Sequence, residues 1–170
     1  DDTVAWYEND CASHAPTAAP AAAPTPRPTI TCASVAFAEH IVATAAGGGN
    51  SVFAIDVDGD GDVDALAAFA ADTVVWYEND GSQSFTEHII SWLADDAASV
   101  FAIDVDGDGD VDALSASKLD DTVAWYENDG SESFSERILT TVAGAAMSVF
   151  AIDVDGDGDV DVLSGSREDD

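Results

Sequence analysis

The sequence predicts an all-β fold built from four-stranded antiparallel sheets of the kind that form propeller blades. The segment SVFAIDVDGDGDVD begins at Ser51, at Ser99 and at Ser148, which gives a repeat of 48 to 49 residues. Each repeat contains four short segments rich in Val, Ile, Phe, Trp and Tyr and bounded by Gly, Asn and Asp, which is typical of strands. No segment shows the apolar stripe and the capping residues of a helix. Four antiparallel strands in about fifty residues are the sequence pattern of a propeller blade.

The four strands of a repeat can be assigned in order. In the middle repeat they are expected at about residues 99–104, 111–117, 122–127 and 133–139. The first and second strands flank an Asp-rich segment, and the third strand carries the recurring sequence WYEND. The Asn-Asp-Gly sequences at 79–81 and 128–130 predict hairpin turns between the third and fourth strands.

Residues 1–170 are expected to form one domain that holds about three blades' worth of sequence, with repeats starting at 51, 99 and 148. The chain opens with a third and a fourth strand, at residues 2–9 and 36–42, and it closes with a first and a second strand, at 148–166. We therefore expect two complete blades and two complementary half-blades. The chain begins at Asp1 without an initiator Met or a signal peptide, which favours a processed mature chain or a fragment.

The open edge of a half-blade presents unpaired backbone donors and acceptors. Three blades are too few for a closed propeller, since known rings have about four or more. One interpretation is that the last strands of one copy pair with the first strands of the next. Such a head-to-tail contact gives a ring or a filament. The other interpretation is that the chain is a piece of a longer repeat array.

Each repeat contains the pattern D-x-D-x-D-G-D-x-D, and the three copies hold fifteen of the 35 acidic residues. Five carboxylates within nine residues repel one another unless a cation joins them. Ca²⁺ accepts about six to eight oxygen ligands in flexible geometry, whereas Mg²⁺ requires a stricter octahedron. The sequence therefore predicts about three Ca²⁺ ions, one per loop, and the alternative is a solvated acidic turn. The candidate ligands are Asp56, Asp58, Asp60, Asp62, Asp64, Asp104, Asp106, Asp108, Asp110, Asp112, Asp153, Asp155, Asp157, Asp159 and Asp161.

Within a loop, we expect side-chain ligands at positions one, three, five and nine and a backbone carbonyl at position seven. Gly61, Gly109 and Gly158 occupy position six, where a tight turn needs a permissive backbone. An EF-hand is disfavoured, because position twelve holds Ala or Ser instead of Glu and the flanking segments are strands.

The DVDGDGDVD loop, preceded by SVFAI and followed by a WYEND strand, resembles the FG-GAP/VCBS repeat of integrin-type β-propellers. The resemblance covers nearly the whole chain outside residues 11–33. It implies calcium-stabilised blades in extracellular proteins that adhere, recognise sugars or act as scaffolds. Two features depart from that pattern: such propellers usually have about seven blades, and the first WYEND sequence is followed by Cys11 instead of Gly.

Residues 11–33 form a Pro/Ala/Thr-rich insertion between the third and fourth strands of the first repeat. Alternating Pro disfavours helix and sheet and favours polyproline II. This composition indicates an O-glycosylated tract, with a naked flexible loop as the alternative. Cys11 and Cys32 bracket the insertion, which suggests a disulfide in an oxidising compartment; two free thiols are the alternative. The candidate sugar carriers are Thr17, Thr25, Thr29, Thr31, Pro16, Pro20, Pro24, Pro26 and Pro28.

The formal charge of −31 excludes nucleic acid and anionic membranes as partners, and no apolar run is long enough to span a bilayer. His40 and His88 recur at one repeat position, where Arg137 stands in the third repeat, which favours a structural role over catalysis. Of each adjacent Trp and Tyr in WYEND, one is expected to pack between blades and the other to point elsewhere, where it offers a platform for sugar stacking.

Together these patterns predict a non-enzymatic, extracellular, calcium-binding structural protein. Its partner is expected to be itself, in a head-to-tail and glycosylated filament or larger assembly, with glycans as a further partner. The alternative is a carbohydrate-binding or adhesion module that is a fragment of a longer propeller.

Overall fold

The computed structural model describes residues 3–9, 36–44 and 47–167. These residues form twelve β-strands and no helix, so the all-β prediction is confirmed. In the described part of the chain there is accordingly no helix long and apolar enough to cross a membrane. The insertion, with Cys11, Cys32 and all the candidate sugar carriers, lies outside the described residues.

The strands follow the order predicted from the repeat. They are β1 (Thr3–Asn9), β2 (Phe37–Thr44), β3 (Gly49–Ile55), β4 (Asp64–Phe69), β5 (Thr73–Asn79), β6 (Phe85–Ser91), β7 (Ala97–Ile103), β8 (Asp112–Ser117), β9 (Thr122–Asn128), β10 (Phe134–Thr140), β11 (Ala146–Ile152) and β12 (Asp161–Ser166).

The strands pair in four sheets. Two sheets have four antiparallel strands each, in the orders β3-β4-β5-β6 and β7-β8-β9-β10, and two sheets have two strands each, β1-β2 and β11-β12. The register repeats as well, because Leu66 lies opposite Trp76 in the first complete sheet and Leu114 lies opposite Trp125 in the second. Each sequence repeat thus folds into one antiparallel sheet.

The turns use residues that accept a left-handed backbone. Asp72 and Asp121, with φ of 63° and 57°, occupy the turn between the second and third strands of their sheets. Gly81 and Gly130 lie in the hairpins after the third strand with φ of 73° and 72°. A Cβ at either glycine would displace an aspartate carboxylate of the preceding loop and would be strained at this positive φ, so both positions favour Gly.

The described residues belong to two compact units, one of residues 1–4 with 42–170 and one of residues 5–41. In the larger unit, the sheets pack face to face. Leu66 and Trp76 of the first complete sheet pack against Val100 of the next sheet, and all three side chains are buried. Leu114 packs in the same way against Val149 of β11.

The first strands of successive sheets also bring phenylalanine rings together, with their planes tilted by 53° and 47°. The ring centroids of Phe53 and Phe101 are 4.7 Å apart, and those of Phe101 and Phe150 are 4.6 Å apart. The same side chain therefore meets its own repeat equivalent from sheet to sheet, at a distance at which aromatic rings attract.

The predicted division of the Trp-Tyr pairs into one packed and one free aromatic ring is wrong for the first complete sheet. Trp76 and Tyr77 are 0% and 3% exposed. They point to opposite faces, as strand neighbours must, but both faces of this sheet are covered. Tyr126 is buried as well, and burial raises the pKa of the Tyr77 phenol to about 12, with a smaller contribution from the Glu87 carboxylate.

In the smaller unit, side chains of β1 contact side chains of β2. Trp6 stacks on the His40 ring with the centroids 4.2 Å apart. His40 Nε2 lies 3.2 Å from a Glu8 carboxylate oxygen, and the Tyr7 hydroxyl donates to Glu39 at 3.0 Å.

Candidate metal centres

The three Asp-rich loops lie between the first and second strands of three sheets, where they join β3 to β4, β7 to β8 and β11 to β12. In every loop three carboxylates each offer an oxygen atom, and these oxygens lie within 4.8 Å of one another. The structure groups nine of the fifteen predicted aspartates in this way: Asp56, Asp58 and Asp64; Asp104, Asp106 and Asp108; Asp153, Asp155 and Asp161.

The first aspartate organises the loop. The two carboxylate oxygens of Asp56 accept hydrogen bonds from the backbone N–H groups of Gly59 and Gly61, at 2.9 and 3.0 Å. Both glycines have left-handed φ values, 76° and 98°, which turn their N–H groups inward. Asp104 and Asp153 make the same pair of bonds in their own loops. The sequence pattern therefore fixes one loop conformation three times.

The ninth aspartate ties the loop to the sheet. Asp64 is 1% exposed, and one carboxylate oxygen accepts from the Val57 N–H of its own loop at 2.9 Å. The other oxygen accepts from the Asn79 N–H at the end of the third strand, at 2.8 Å. Asp112 makes the corresponding two bonds, at 3.0 and 2.8 Å.

Asp161 is held differently from these two residues. Its carboxylate accepts the bond from within the loop, from Val154 at 2.9 Å. The described residues offer no N–H to its second oxygen, because β12 has no third strand beside it. Asp161 is accordingly half-buried, whereas Asp64 and Asp112 are buried.

The fifth and seventh positions have separate roles in the described loops. Asp108 belongs to the oxygen cluster of the middle loop, whereas in the other two loops the third member of the cluster is the ninth-position aspartate. Asp62 and Asp110, at position seven, have their carboxylates against the hairpin glycines Gly81 and Gly130. Their side chains thus contact the hairpin and lie outside the clusters of three.

The electrostatics of the loops favour a bound cation. Burial raises the pKa of Asp58, and the carboxylates around it, Asp60 first, raise it further. Burial also raises the pKa of Asp112. None of the ion pairs among the described residues involves a loop aspartate, so no described basic side chain neutralises these clusters. Clustered carboxylate oxygens are the hard donors that Ca²⁺ and Mg²⁺ prefer, so the residues present fit such an ion.

Sequence reasoning missed the Asn of WYEND as a supporting residue. The Asn79 side chain donates to the Val63 carbonyl at 3.1 Å and accepts from the Gly81 N–H at 3.2 Å. Asn128 repeats both bonds. Asn79 and Asn128 thus join the hairpin to the end of the Asp-rich loop. The recurrence of Asn directly before each hairpin was the sequence signal that could have indicated this role.

The recurring position of His40, His88 and Arg137 makes equivalent contacts in each sheet. The His88 ring stacks on Trp76 with a centroid distance of 4.5 Å, and its Nε2 lies 2.7 Å from the Glu78 carboxylate. In the next sheet, the Arg137 guanidinium lies 5.4 Å from the centroid of the Trp125 ring and pairs with Glu127. At this position either a histidine or an arginine can thus pack on the tryptophan ring and bind the glutamate two residues after the tryptophan.

The comparison with protein families supports the repeat assignment. The sequence matches the FG-GAP-like repeat over residues 56–115 and again over 104–164. Each match starts at the first aspartate of one loop and extends into the second strand of the next sheet. No curated protein matches the chain. Since the two matches together span more than half of its length, the chain belongs to the FG-GAP-like repeat family.

Proposed function

We propose that this chain is a non-enzymatic, extracellular, calcium-binding structural protein that assembles head to tail from blade-like sheets. The observation that carries the proposal is the repeated Asp-rich loop. Three loops adopt the same hydrogen-bonded conformation, and each brings three carboxylates within 4.8 Å of one another. The match to the FG-GAP-like repeat and the resemblance to integrin-type repeats support an extracellular structural or adhesive role.

Calcium is the cation that this donor set suits best. The loops are irregular, glycine-rich and made of carboxylate and carbonyl oxygens, which suits the flexible coordination of Ca²⁺ better than the strict octahedron of Mg²⁺. Extracellular calcium modules commonly bind with Kd of about 10⁻⁴–10⁻³ M, which extracellular calcium concentrations can saturate. In the first and third loops the ion would join the first and second strands, through Asp56 with Asp64 and through Asp153 with Asp161.

Assembly is supported by the two half-sheets. Among the described strands, β12 pairs with β11 alone, and four of its six residues are exposed, whereas all six residues of the equivalent β8 are buried. Main-chain hydrogen bonds to an added strand would give affinity, and the side-chain pockets would give register. Glycans on the Pro/Thr-rich insertion would then decorate the surface of the assembly.

The calcium proposal is tested by thermal unfolding in Ca²⁺ and in excess EDTA. Because an ion that binds only the folded state stabilises it by mass action, each site adds about 2.7 kcal/mol at one hundred times its Kd. We expect a large drop in Tm on chelation, and a smaller response of D58N than of the unsubstituted chain. The control is E136Q, which removes one exposed carboxylate outside the loops and should keep the full response. An unchanged Tm in EDTA would contradict the proposal.

The assembly proposal is tested by electron microscopy of the purified protein in calcium. Filaments or rings are expected, and their abundance should fall on chelation. Single copies alone at high protein concentration would contradict head-to-tail assembly while leaving calcium binding intact.

One surface favours the alternative of a carbohydrate-binding module. Trp92 is 68% exposed at the rim of a pocket that also contains Tyr77 and Glu87. An exposed indole next to a carboxylate is suited to stacking on a sugar ring and accepting from its hydroxyls. A glycan array with the monomeric chain tests this candidate, and specific binding that W92A abolishes would favour it.

A further inference from the structure

We propose that strand β1 of a second copy completes the third Asp-rich loop by pairing with β12 and donating the Asn9 backbone N–H to Asp161. This inference deepens the assembly proposal above and rests on it. It identifies the strand, the register and the cation loop that is shared between copies.

The first observation is the incomplete bonding of Asp161. In the two complete sheets, the ninth aspartate accepts from the Asn N–H that ends the third strand, at 2.8 Å in both cases. Asn9 is the equivalent residue of β1. Asp161 has its internal bond to Val154, and the bond that the described residues leave unmade is the one that a third strand supplies.

The second observation is a matching pair of exposed apolar surfaces. On the half-sheet β11-β12, Phe150 is 48% exposed and Leu163 is 44% exposed. Leu114, the equivalent of Leu163 in the complete sheet, is fully buried. On β3, Val52 is 62% exposed, although the equivalent Val100 is 4% exposed. Sheet-to-sheet packing inside the chain places Leu114 over Val149, so the same packing between copies would place Leu163 over Val52.

The third observation is a repeated hydrogen bond between successive first strands. The Val100 N–H donates to the Ser51 hydroxyl and the Val149 N–H donates to the Ser99 hydroxyl, both at 3.3 Å. If the same bond forms between the C-terminal half-sheet of one copy and β3 of the second copy, the Val52 N–H of the second copy donates to the Ser148 hydroxyl. The second copy that brings β1 also carries the exposed Val52 surface and the Val52 N–H.

The identity of the incoming strand follows from its sequence. Strand β1 reads TVAWYEN, the same seven residues as β9, which fills this place beside β8. Because Ser115 lies opposite Ala124 in that pair, Ser164 should lie opposite Ala5 of the second copy. Within the described part of the chain, the β1-β2 sheet has only a third and a fourth strand, so the donor and the acceptor complement each other.

The consequence is that calcium binding at the third loop is coupled to assembly. Asp161 already belongs to the third oxygen cluster, and the added N–H and strand would hold and cover it as Asn79 and β5 hold and cover Asp64, a member of the first cluster. The first two loops are already complete within the chain. Calcium should therefore bind two loops in the dilute chain and the third with higher affinity in the assembled chain, and bound calcium should favour assembly by the same factor.

The register is tested by oxidative cross-linking of a chain that carries S164C and A5C. We expect a ladder of covalent multimers in calcium on non-reducing gels. S115C with A124C is the matched control for geometry and should cross-link within one chain. S164C with Y7C, displaced by two residues on the same strand face, should give few multimers. A ladder no stronger than that of the displaced pair would overturn the proposed pairing. The same weak ladder is expected if a later segment of a longer chain completes β12.

The coupling is tested by calorimetric titration of calcium into dilute and concentrated protein. We expect two strong sites when dilute and a third that strengthens about tenfold or more on assembly. D155N should weaken assembly, whereas D58N, the same substitution in the first loop, should leave assembly of the folded chain intact. Three equal sites at every concentration would overturn the coupling and leave the calcium proposal standing, whereas no binding heat at all would overturn the calcium proposal itself.

Discussion

The second complete sheet and the C-terminal half-sheet are made from almost the same sequence and reach very different degrees of burial. Residues 99–117 and 148–166 differ at two positions, 113/162 and 116/165. Every residue of β8 is buried, whereas four residues of β12 are exposed. In both loops, nevertheless, two glycine N–H groups donate to the first aspartate in the same way. Local conformation is therefore set within the repeat, and burial is set by the neighbouring strands and sheets.

The strongest test of this comparison is the pair of substitutions L114A and L163A. Leu114 is fully buried against β11, so its truncation should cost about 2–5 kcal/mol, whereas Leu163 is 44% exposed and should cost about 1 kcal/mol in the dilute chain. Urea unfolding at low protein concentration measures both values. If assembly covers Leu163, its substitution should become as costly as L114A in the assembled protein. Equal costs in the dilute chain would show that β12 is already covered.

The backbone of a repeat could be predicted from the sequence because it depends on local signals. Strand composition and the Asn-Asp-Gly turn place the strands, and the middle sheet begins and ends within about two residues of the expected positions. The Asp-rich pattern likewise predicts a loop that gathers carboxylates, and three clusters are present.

The contacts between sheets could not be predicted, because they depend on which faces become covered. Trp76 and Tyr77 are both buried, because a cluster of buried side chains covers each face of β5, and alternation along the strand gives no sign of this. The dependence of the ninth aspartate on an N–H of the third strand is similarly non-local, because Asp64 and Asn79 are fifteen residues apart. Repetition shows that such a residue matters but not which group it binds.

Glycine substitutions give a smaller effect that sharpens the same comparison. G130A should destabilise the complete sheet by about 1–2 kcal/mol, because φ is 72° and a Cβ would collide with the Asp110 carboxylate. G165A in the half-sheet places there the residue that position 116 already has, with the new Cβ 3.5 Å from Ser148 Cβ. It should be neutral or stabilise by up to about 1 kcal/mol, because Ala orders a strand at lower entropic cost than Gly. Thermal unfolding in calcium separates the two outcomes, and a stabilising G130A would contradict the proposed clash.

The smallest expected effect concerns an ion pair at the turn after the second strand of the complete sheet. Lys118 Nζ lies 2.8 Å from Asp96, whereas the backbone of Arg167, the equivalent residue, meets Ala145 in place of an acid. K118M should cost about 0.2–1 kcal/mol and R167M should cost nothing measurable, because exposed pairs contribute little.

The pH dependence of this pair has a defined sign. The hydrogen bond from Lys118, followed by its charge, lowers the pKa of Asp96 in the folded chain. The contribution is therefore complete above the unfolded pKa of about 4 and is lost as pH falls through the lower folded value. The stability difference between K118M and the unsubstituted chain should shrink in that window and also in about 1 M salt. A difference that persists in acid would mean that the aliphatic part of Lys118, packed on the turn, provides the stability instead of its charge.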